Sequence, residues 1–266
     1  MEQVAPEEVS FLERLRRRVR PWDGTAGPPR SANGASSLHL VWELGRGAWT
    51  ACEATLEILV PPAVPKLYFW ALQVSFTRRG LGGGGAHLGL QWHPAHPGGT
   101  AVNWGGYGPD GRELDGTVSS LPSATGNPNT RDYRWEAGRP YRLRIEPAPG
   151  QPLGTAWRGS VTDVETGTTT VVRDLFSRGN RLDGLMVWSE VFADCDDPSV
   201  TVRWSGLRAS NPGGEAFDVR IVRVNYQRVS EGGCANTTSQ LDPRLPGFLQ
   251  LTNAVRTVAQ GSRLEL

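Results

Sequence analysis

The sequence predicts an all-β protein folded as a two-sheet antiparallel sandwich, for three reasons. Apolar and polar residues alternate over many short segments, which is typical of strands that bury one face. The chain has 266 residues, and its 33 glycines and 20 prolines follow no collagen-like period, so they indicate many turns. A helical pattern of apolar residues occurs in one short segment near the N-terminus.

That N-terminal segment covers residues 9–19, and Ser10 is placed to cap the start of a short helix. The stretch that follows, residues 21–37, is rich in Gly, Pro, Ser and Ala, which is typical of a linker or an extended arm. We therefore predict an N-terminal helix and arm over residues 1–37 and a single β-sandwich domain over residues 38–266. An arm that docks on another molecule would make this a structural or interaction protein, which is one functional alternative.

Strand signals follow one another from Leu38 onward and are separated by Gly, Pro, Asn and Asp turns. Early in this region, Cys52 and Leu56 alternate with the polar Glu53, so one strand face is expected to be buried. Residues 68–76 are almost continuously apolar, which predicts a strand that is covered on both faces. The remaining predicted strands cover residues 86–92, 100–107, 113–120, 139–147, 155–166, 168–176, 184–192, 200–209 and 217–229.

The connections between these strands favour a jelly roll over a closed up-and-down barrel. Their lengths are uneven, and residues 109–130 form one long connection, whereas the hairpins of such barrels are short and even. No repeat of about 40–50 residues is present, which disfavours a propeller. The predicted architecture is therefore a jelly-roll sandwich of the concanavalin A type.

Composition and charge exclude several classes of function. The net charge of +1 removes the electrostatic basis for binding nucleic acid. Only Lys66 among the 28 basic residues is a lysine, and because the arginines are spread along the chain we predict no dedicated anion site. No 18-residue apolar run predicts a membrane span, and no apolar signal-peptide core is visible, so a cytoplasmic location is the default expectation.

The three cysteines, Cys52, Cys195 and Cys234, lie far apart and lack the spacing of a zinc site. Cys52 falls on an alternating strand and is expected to be buried. Cys195 and Cys234 both lie in turn-rich segments. A disulfide between them and three reduced cysteines are equal alternatives.

Residues 68–107 carry a family resemblance. An aromatic strand precedes a glycine-rich strand with Gly85, Gly89 and Gln91, and a third strand then ends in a turn that contains Trp104. This arrangement resembles the domain of unknown function DUF3472. The resemblance implies a concanavalin-like lectin or glucanase fold, a bacterial source and frequent secretion, and it implies no established activity.

The ten tryptophans are the strongest oddity of the composition. Trp42, Trp70 and Trp188 lie within predicted strands and are expected in the core. Rings at strand ends beside glycine-rich loops, with amide groups nearby, suit stacking on the apolar faces of sugars. We therefore predict a carbohydrate- or small-ligand-binding surface, and its candidate residues are Gln91, Trp92, His93, Asn103, Trp104 and Tyr107.

A glycan-active enzyme, acting as a glycoside hydrolase or like a lyase, is the other functional alternative. Retaining glycosidases hold two carboxylates about 5–5.5 Å apart, and residues two or four apart on a strand share a face. Glu190 and Asp194 are four residues apart in the sequence, and Glu113 and Asp115 are two residues apart, so each pair is expected to share a strand face. Neither pair belongs to a recognised catalytic motif, so the sequence favours binding over catalysis.

No cofactor is predicted, although one metal site is an open alternative. Asp194, Asp196 and Asp197 offer the oxygen ligands that calcium prefers, and the alternative is a polar turn between two strands. His93 and His96 lack the third ligand that a zinc site needs. A hairpin loop, rather than a phosphate-binding loop, is expected for the glycine run 81–85, because a strand and not a helix follows it.

Overall fold

The computed structural model describes residues 22–45 and 47–266. The predicted helix over residues 9–19 lies outside the described residues. The strands, numbered in chain order, are β1 Ser36–Trp42, β2 Ala51–Val60, β3 Tyr68–Arg78, β4 Leu81–Trp92, β5 Thr100–Tyr107, β6 Thr130–Asp132, β7 Pro140–Pro147, β8 Ala156–Asp163, β9 Thr169–Phe176, β10 Arg181–Val191, β11 Thr201–Ser210, β12 Ala216–Asp218, β13 Ile221–Tyr226, β14 Thr238–Leu241, β15 Phe248–Leu251 and β16 Arg263–Glu265.

These strands form two antiparallel sheets, which confirms the predicted sandwich. The first sheet has the order β16-β13-β1-β10-β3-β4-β5-β6. The second sheet has the order β14-β15-β11-β2-β7-β8-β9, with β12 paired to β11. Two short 3-10 turns, Pro97–Gly99 and Val229–Glu231, are the helical elements of the described chain, and no helix there is long and apolar enough to cross a membrane.

The core lies between the sheets and is filled by every second residue of each central strand. Leu38 and Trp70 from the first sheet and Leu56 and Trp204 from the second are at most 1% exposed. Burying each such side chain contributes roughly 1.5–3 kcal/mol to folding. The alternation read from the sequence is therefore the pattern that holds the two layers together.

A buried polar network also joins the two sheets. Gln250 on β15 is 2% exposed, and its amide oxygen accepts hydrogen bonds from Ser189 Oγ at 2.7 Å and Trp204 Nε1 at 3.0 Å. Its amide nitrogen donates to the carbonyl of Leu38 at 2.8 Å. Because buried polar atoms are costly without partners, this satisfied network favours one relative placement of the sheets.

The glycine run 81–85 was predicted to form a hairpin loop. It forms the first part of β4 instead. The actual turn is the pair Arg79–Gly80, and both residues have positive φ, of 52° and 79°. A Cβ atom on Gly84 would lie 2.1 Å from the carbonyl oxygen of Tyr107. The glycines therefore allow β4 and β5 to approach closely, which a loop prediction based on flexibility overlooks.

Residues 22–35 lie against the end of the sandwich at which β10 finishes. The amide of Arg30 donates to the carbonyl of Gly232 at 2.9 Å, and the amide of Cys195 donates to the carbonyl of Gly27 at 2.8 Å. A disulfide joins Cys195 to Cys234 in this region. Cys52 is buried, as predicted, and burial raises the pKa of its thiol, so it is an inert core residue.

Candidate functional site

The six residues predicted to bind a ligand do not form one surface. Gln91 and Asn103 point to the outer face of the first sheet, where they are 7% and 8% exposed. Trp104 points the other way and is fully buried, so its prediction as a ligand-stacking residue is wrong. Asn103 and Trp104 are consecutive residues of β5, and successive side chains of a strand point to opposite faces of the sheet.

The other three predicted residues are also separated. Trp92 packs partly buried against the core, with its ring 6.1 Å from that of Tyr68. His93 follows β4, and its Nδ1 atom accepts a hydrogen bond from the amide of Ala95 at 3.1 Å. Tyr107 at the end of β5 is the exposed member of the set, at 52%.

The outer face of the first sheet carries an aromatic cluster of its own. Phe69, Ala71 and Trp188 are buried there, apart from the main core. The prediction that Trp188 belongs to the core between the sheets is therefore wrong. Its Nε1 atom donates to Gln73 Oε1 at 2.9 Å. His87 lies edge-on to both rings, and burial lowers its pKa to about 4. The imidazole is therefore neutral at physiological pH.

Glu190 lies on β10 at the same outer face. In the strand register Glu190 pairs with Phe69, and Phe69 pairs with Gln91, so the carboxyl and the amide flank one ring. Asn33 Nδ2 donates to Glu190 Oε1 at 2.8 Å. Burial raises the pKa of Glu190, and hydrogen bonds from Asn33 and Ser37 oppose that rise. A carboxyl whose pKa is raised by burial holds its proton closer to neutral pH than an exposed one does.

The predicted pairing of Glu190 with Asp194 does not hold, because β10 ends at Val191 and Asp194 lies in the following turn. The nearby carboxylates serve that turn. Asp196 Oδ1 accepts from the amide of Gly27, and Asp197 Oδ2 accepts from the amide of Asp194, each at 2.8 Å. Within residues 22–45 and 47–266 no group of three metal-ligating side chains is present, and calcium at Asp194, Asp196 and Asp197 stays an untested alternative.

A cleft of about 1320 Å³ opens at the opposite end of the sandwich, where β10 begins. We call it the end cleft. Four segments form it: the β3–β4 hairpin, residues 108–115 after β5, residues 154–155 before β8, and residues 176–178 between β9 and β10. The second predicted carboxylate pair lines it, although isolated bridges replace the predicted strand over residues 113–120.

The end cleft combines apolar surface with charges of both signs. Leu81 and Phe176 line it and are 74% and 45% exposed. The hydrophobic effect disfavours such exposure in the absence of a ligand. Tyr107 precedes the lining residue Gly108 but does not itself line the cleft.

The acidic side of the end cleft has a basic residue behind it. Arg173 on β9 is 5% exposed and donates to Asn129 Oδ1 at 3.2 Å, and Asn129 Nδ2 donates in turn to Glu113 Oε2 at 3.4 Å. Burial lowers the pKa of Arg173, and the charges of Asp115 and Glu113 oppose that change. The two carboxylates therefore already have a positive charge close by.

The arginines that line the end cleft differ in whether a carboxylate pairs with them. Arg112 pairs with Asp110 at 2.8 Å. Arg78, Arg79 and Arg178 also line the cleft and are exposed, and none of them forms an ion pair with another residue that the structure describes. Sequence reasoning missed this group because it treated the arginines as evenly spread. The Arg79–Gly80 turn was the one local signal that could have placed two of them at a hairpin tip.

Known proteins resemble the chain only remotely. No protein-family model matches the sequence, and no curated protein matches it. Scytalido-glutamic peptidase bound to a peptide-based transition state analogue has a TM-score of 0.43 at 9% identity, covering 86% of this chain and 99% of that chain. SCP-B, a member of the eqolisin family of peptidases, has a TM-score of 0.40 at 9% identity, covering 86% and 99%. The enzymatically active domain of tailspike protein 2 of bacteriophage CBA120 has a TM-score of 0.33 at 16% identity, covering 73% of this chain and 24% of that chain.

Proposed function

We propose that the protein is a carbohydrate-binding sandwich whose ligand lies in the end cleft. The observation that carries this proposal is the exposure of Leu81 and Phe176 at one concave opening that also holds arginine and carboxylate groups. Sugars offer apolar C–H faces and hydroxyl groups at the same time, so they match both parts of this surface.

The size of the end cleft supports an oligosaccharide rather than a single sugar. Small-molecule pockets have volumes of about 300–1000 Å³, and this cleft has about 1320 Å³. Its opening between four surface segments leaves room for a chain to enter and leave. In place of the predicted aromatic surface at Trp92 and Trp104, the proposed ligand contacts are in the end cleft, whose described lining residues include one aromatic side chain, that of Phe176.

Titration of the protein with a panel of oligosaccharides tests this proposal. We expect Phe176→Ala to weaken binding about fivefold, because loss of one ring contact costs about 1 kcal/mol. Phe217→Ala is the matched control, since Phe217 is 37% exposed on β12 and does not line the cleft. Equal affinities of the two variants, or no binding by the unaltered protein to any saccharide, would contradict the proposal.

Hydrolysis is a second candidate function, and the environment of Glu190 favours it. A carboxyl with a raised pKa stays protonated closer to neutral pH, so it can donate a proton to the leaving oxygen or nitrogen of a glycosidic or peptide bond. In this proposal the amide of Gln91, which lies on the same outer face on the other side of Phe69, donates a hydrogen bond to the developing oxyanion. This chemistry would take place on the outer face, apart from the end cleft.

Cleavage of oligosaccharide and peptide substrates, followed by mass spectrometry, tests this candidate. Glu190→Gln should reduce turnover at least about hundredfold, because the variant keeps an acceptor for Asn33 but loses the proton. Activity of the unaltered protein should fall as the pH rises through the pKa of Glu190. The control is Glu265→Gln, which alters an exposed glutamate on β16. Full activity of Glu190→Gln would eliminate this assignment.

A further inference from the structure

We infer that the end cleft selects negatively charged oligosaccharides, and that Arg78, Arg79 and Arg178 bind their charged groups. This inference rests on the proposed function and narrows its ligand to sugars that carry carboxylate or sulfate groups.

Charges of both signs line the cleft, from four arginines and three carboxylates. The pair Arg112–Asp110 is neutral as a unit. Glu113 and Asp115 are exposed and lie near the buried guanidinium of Arg173 behind the lining. The other three lining arginines form no ion pair with a described residue, so an incoming anion can bind them without first breaking one.

The backbone holds the segments that carry Arg78 and Arg178 together. Asn180 donates from its amide to the carbonyl of Thr77 at 2.9 Å, which ties the β9–β10 connection to β3. A Cβ atom on Gly179 would lie 2.5 Å from Cβ of Phe76, so this contact is close. Arg178 precedes that contact, and Arg78 ends the strand to which it is tied. The two arginines therefore start from neighbouring backbone positions at one opening.

The backbone of Arg79 has a φ of 52°. This left-handed conformation disfavours most side chains other than Asn, Asp and Gly, and a two-residue hairpin turn usually places Asn or Gly there. An arginine at this position is locally unfavourable. Unfavourable conformations of this kind cluster at functional sites, because a side chain is kept there for its chemistry. The conformation of the turn therefore supports a need for the guanidinium group, independently of the charge inventory.

The chain as a whole favours an anionic sugar over a nucleic acid. A guanidinium binds a carboxylate or sulfate through two parallel hydrogen bonds. A net charge of +1 gives the chain little of the electrostatic attraction on which nucleic-acid binding depends. Leu81 and Phe176 offer the apolar contact that the rings of a sugar need.

Isothermal titration of the complete chain tests this inference with four probes: a hexagalacturonate, a sulfated heparin hexasaccharide, a neutral cellohexaose and a short single-stranded DNA. We expect either the carboxylated or the sulfated hexasaccharide to bind at least about tenfold more tightly than cellohexaose, with the preferred one identifying the anion. Raising the salt concentration should weaken that binding and leave any neutral binding unchanged.

Two variants and a control assign the effect to the proposed residues. Arg178→Gln and Arg79→Asn should each weaken anionic binding about tenfold and leave cellohexaose binding unaltered. Arg220→Gln, which changes an exposed arginine outside the cleft, should have no effect. Thermal unfolding of each variant shows whether the fold is retained, and the Asn variant is chosen because Asn suits the left-handed turn.

Each outcome separates this inference from the proposed function. Equal binding of anionic and neutral sugars, or anionic binding that both variants retain, would overturn the inference and leave carbohydrate binding in place. Preference for the DNA over every sugar would overturn the inference in favour of a nucleic-acid ligand. Absence of binding to all saccharides would overturn both.

Discussion

Trp104 shows at the level of a single residue how the sandwich accommodates its tryptophans. The indole ring is fully buried between the sheets and faces Gly159 on β8. A Cβ atom on Gly159 would lie 2.7 Å from the ring. The absence of a side chain at this position therefore creates the space that the ring fills, and the two residues depend on each other.

We expect Gly159→Ala to lower the free energy of unfolding by about 1–3 kcal/mol, because the extra methyl group must displace a buried ring. Gly45→Ala is a suitable control, since a Cβ atom there would meet nothing within 4 Å. Urea unfolding of both variants measures the difference. Equal stability of the two would mean that the sheets shift apart easily, contrary to the packing described above.

In the β3–β4 hairpin, the backbone conformation of the turn conflicts with the side chain that one of its residues carries. Its turn consists of Arg79 and Gly80, both with positive φ. Gly80 meets the backbone requirement, whereas Arg79 meets it at a cost. The hairpin is therefore less stable than one with Asn or Gly in place of Arg79 would be.

Arg79→Asn should raise the free energy of unfolding by about 1 kcal/mol, because Asn tolerates the left-handed conformation better than other side chains do. Arg79→Ala is the comparison, since it removes the same charge without that conformational advantage. Chemical denaturation of the two variants distinguishes them. A gain by Ala as large as that by Asn would show that charge repulsion, and not backbone conformation, is the source of the cost.

Strand patterns predict which residues share a face, but they do not show which face is the core. The even positions of β2 were placed correctly because their partners on the other face are charged. Trp188 was misplaced because both faces of β10 are apolar near it, and the outer face has its own buried cluster. The short strands β6, β14, β15 and β16, with three or four residues each, were missed because so few residues show no period. β12 and β13 were predicted as one strand over residues 217–229.

For the whole molecule, the sandwich was predictable and the end cleft was not. Alternation and turn residues are local properties, so they identify strands without knowledge of the fold. The end cleft depends on the β3–β4 hairpin and the β9–β10 connection coming together, and Arg78 and Arg178 are far apart in the sequence. Glu190 and Gln91 illustrate the same limit, because only the strand register places both of them beside Phe69.

The order of the strands has a consequence for how this molecule can diversify. Three of the four segments that form the end cleft join strands that are neighbours in their sheet: β3 to β4, β5 to β6, and β7 to β8. Insertions in such connections leave the strand order unchanged and are tolerated on surfaces. The disulfide lies at the opposite end of β10. The lengths of these segments, and with them the shape of the end cleft, can therefore change while the crosslinked end stays the same.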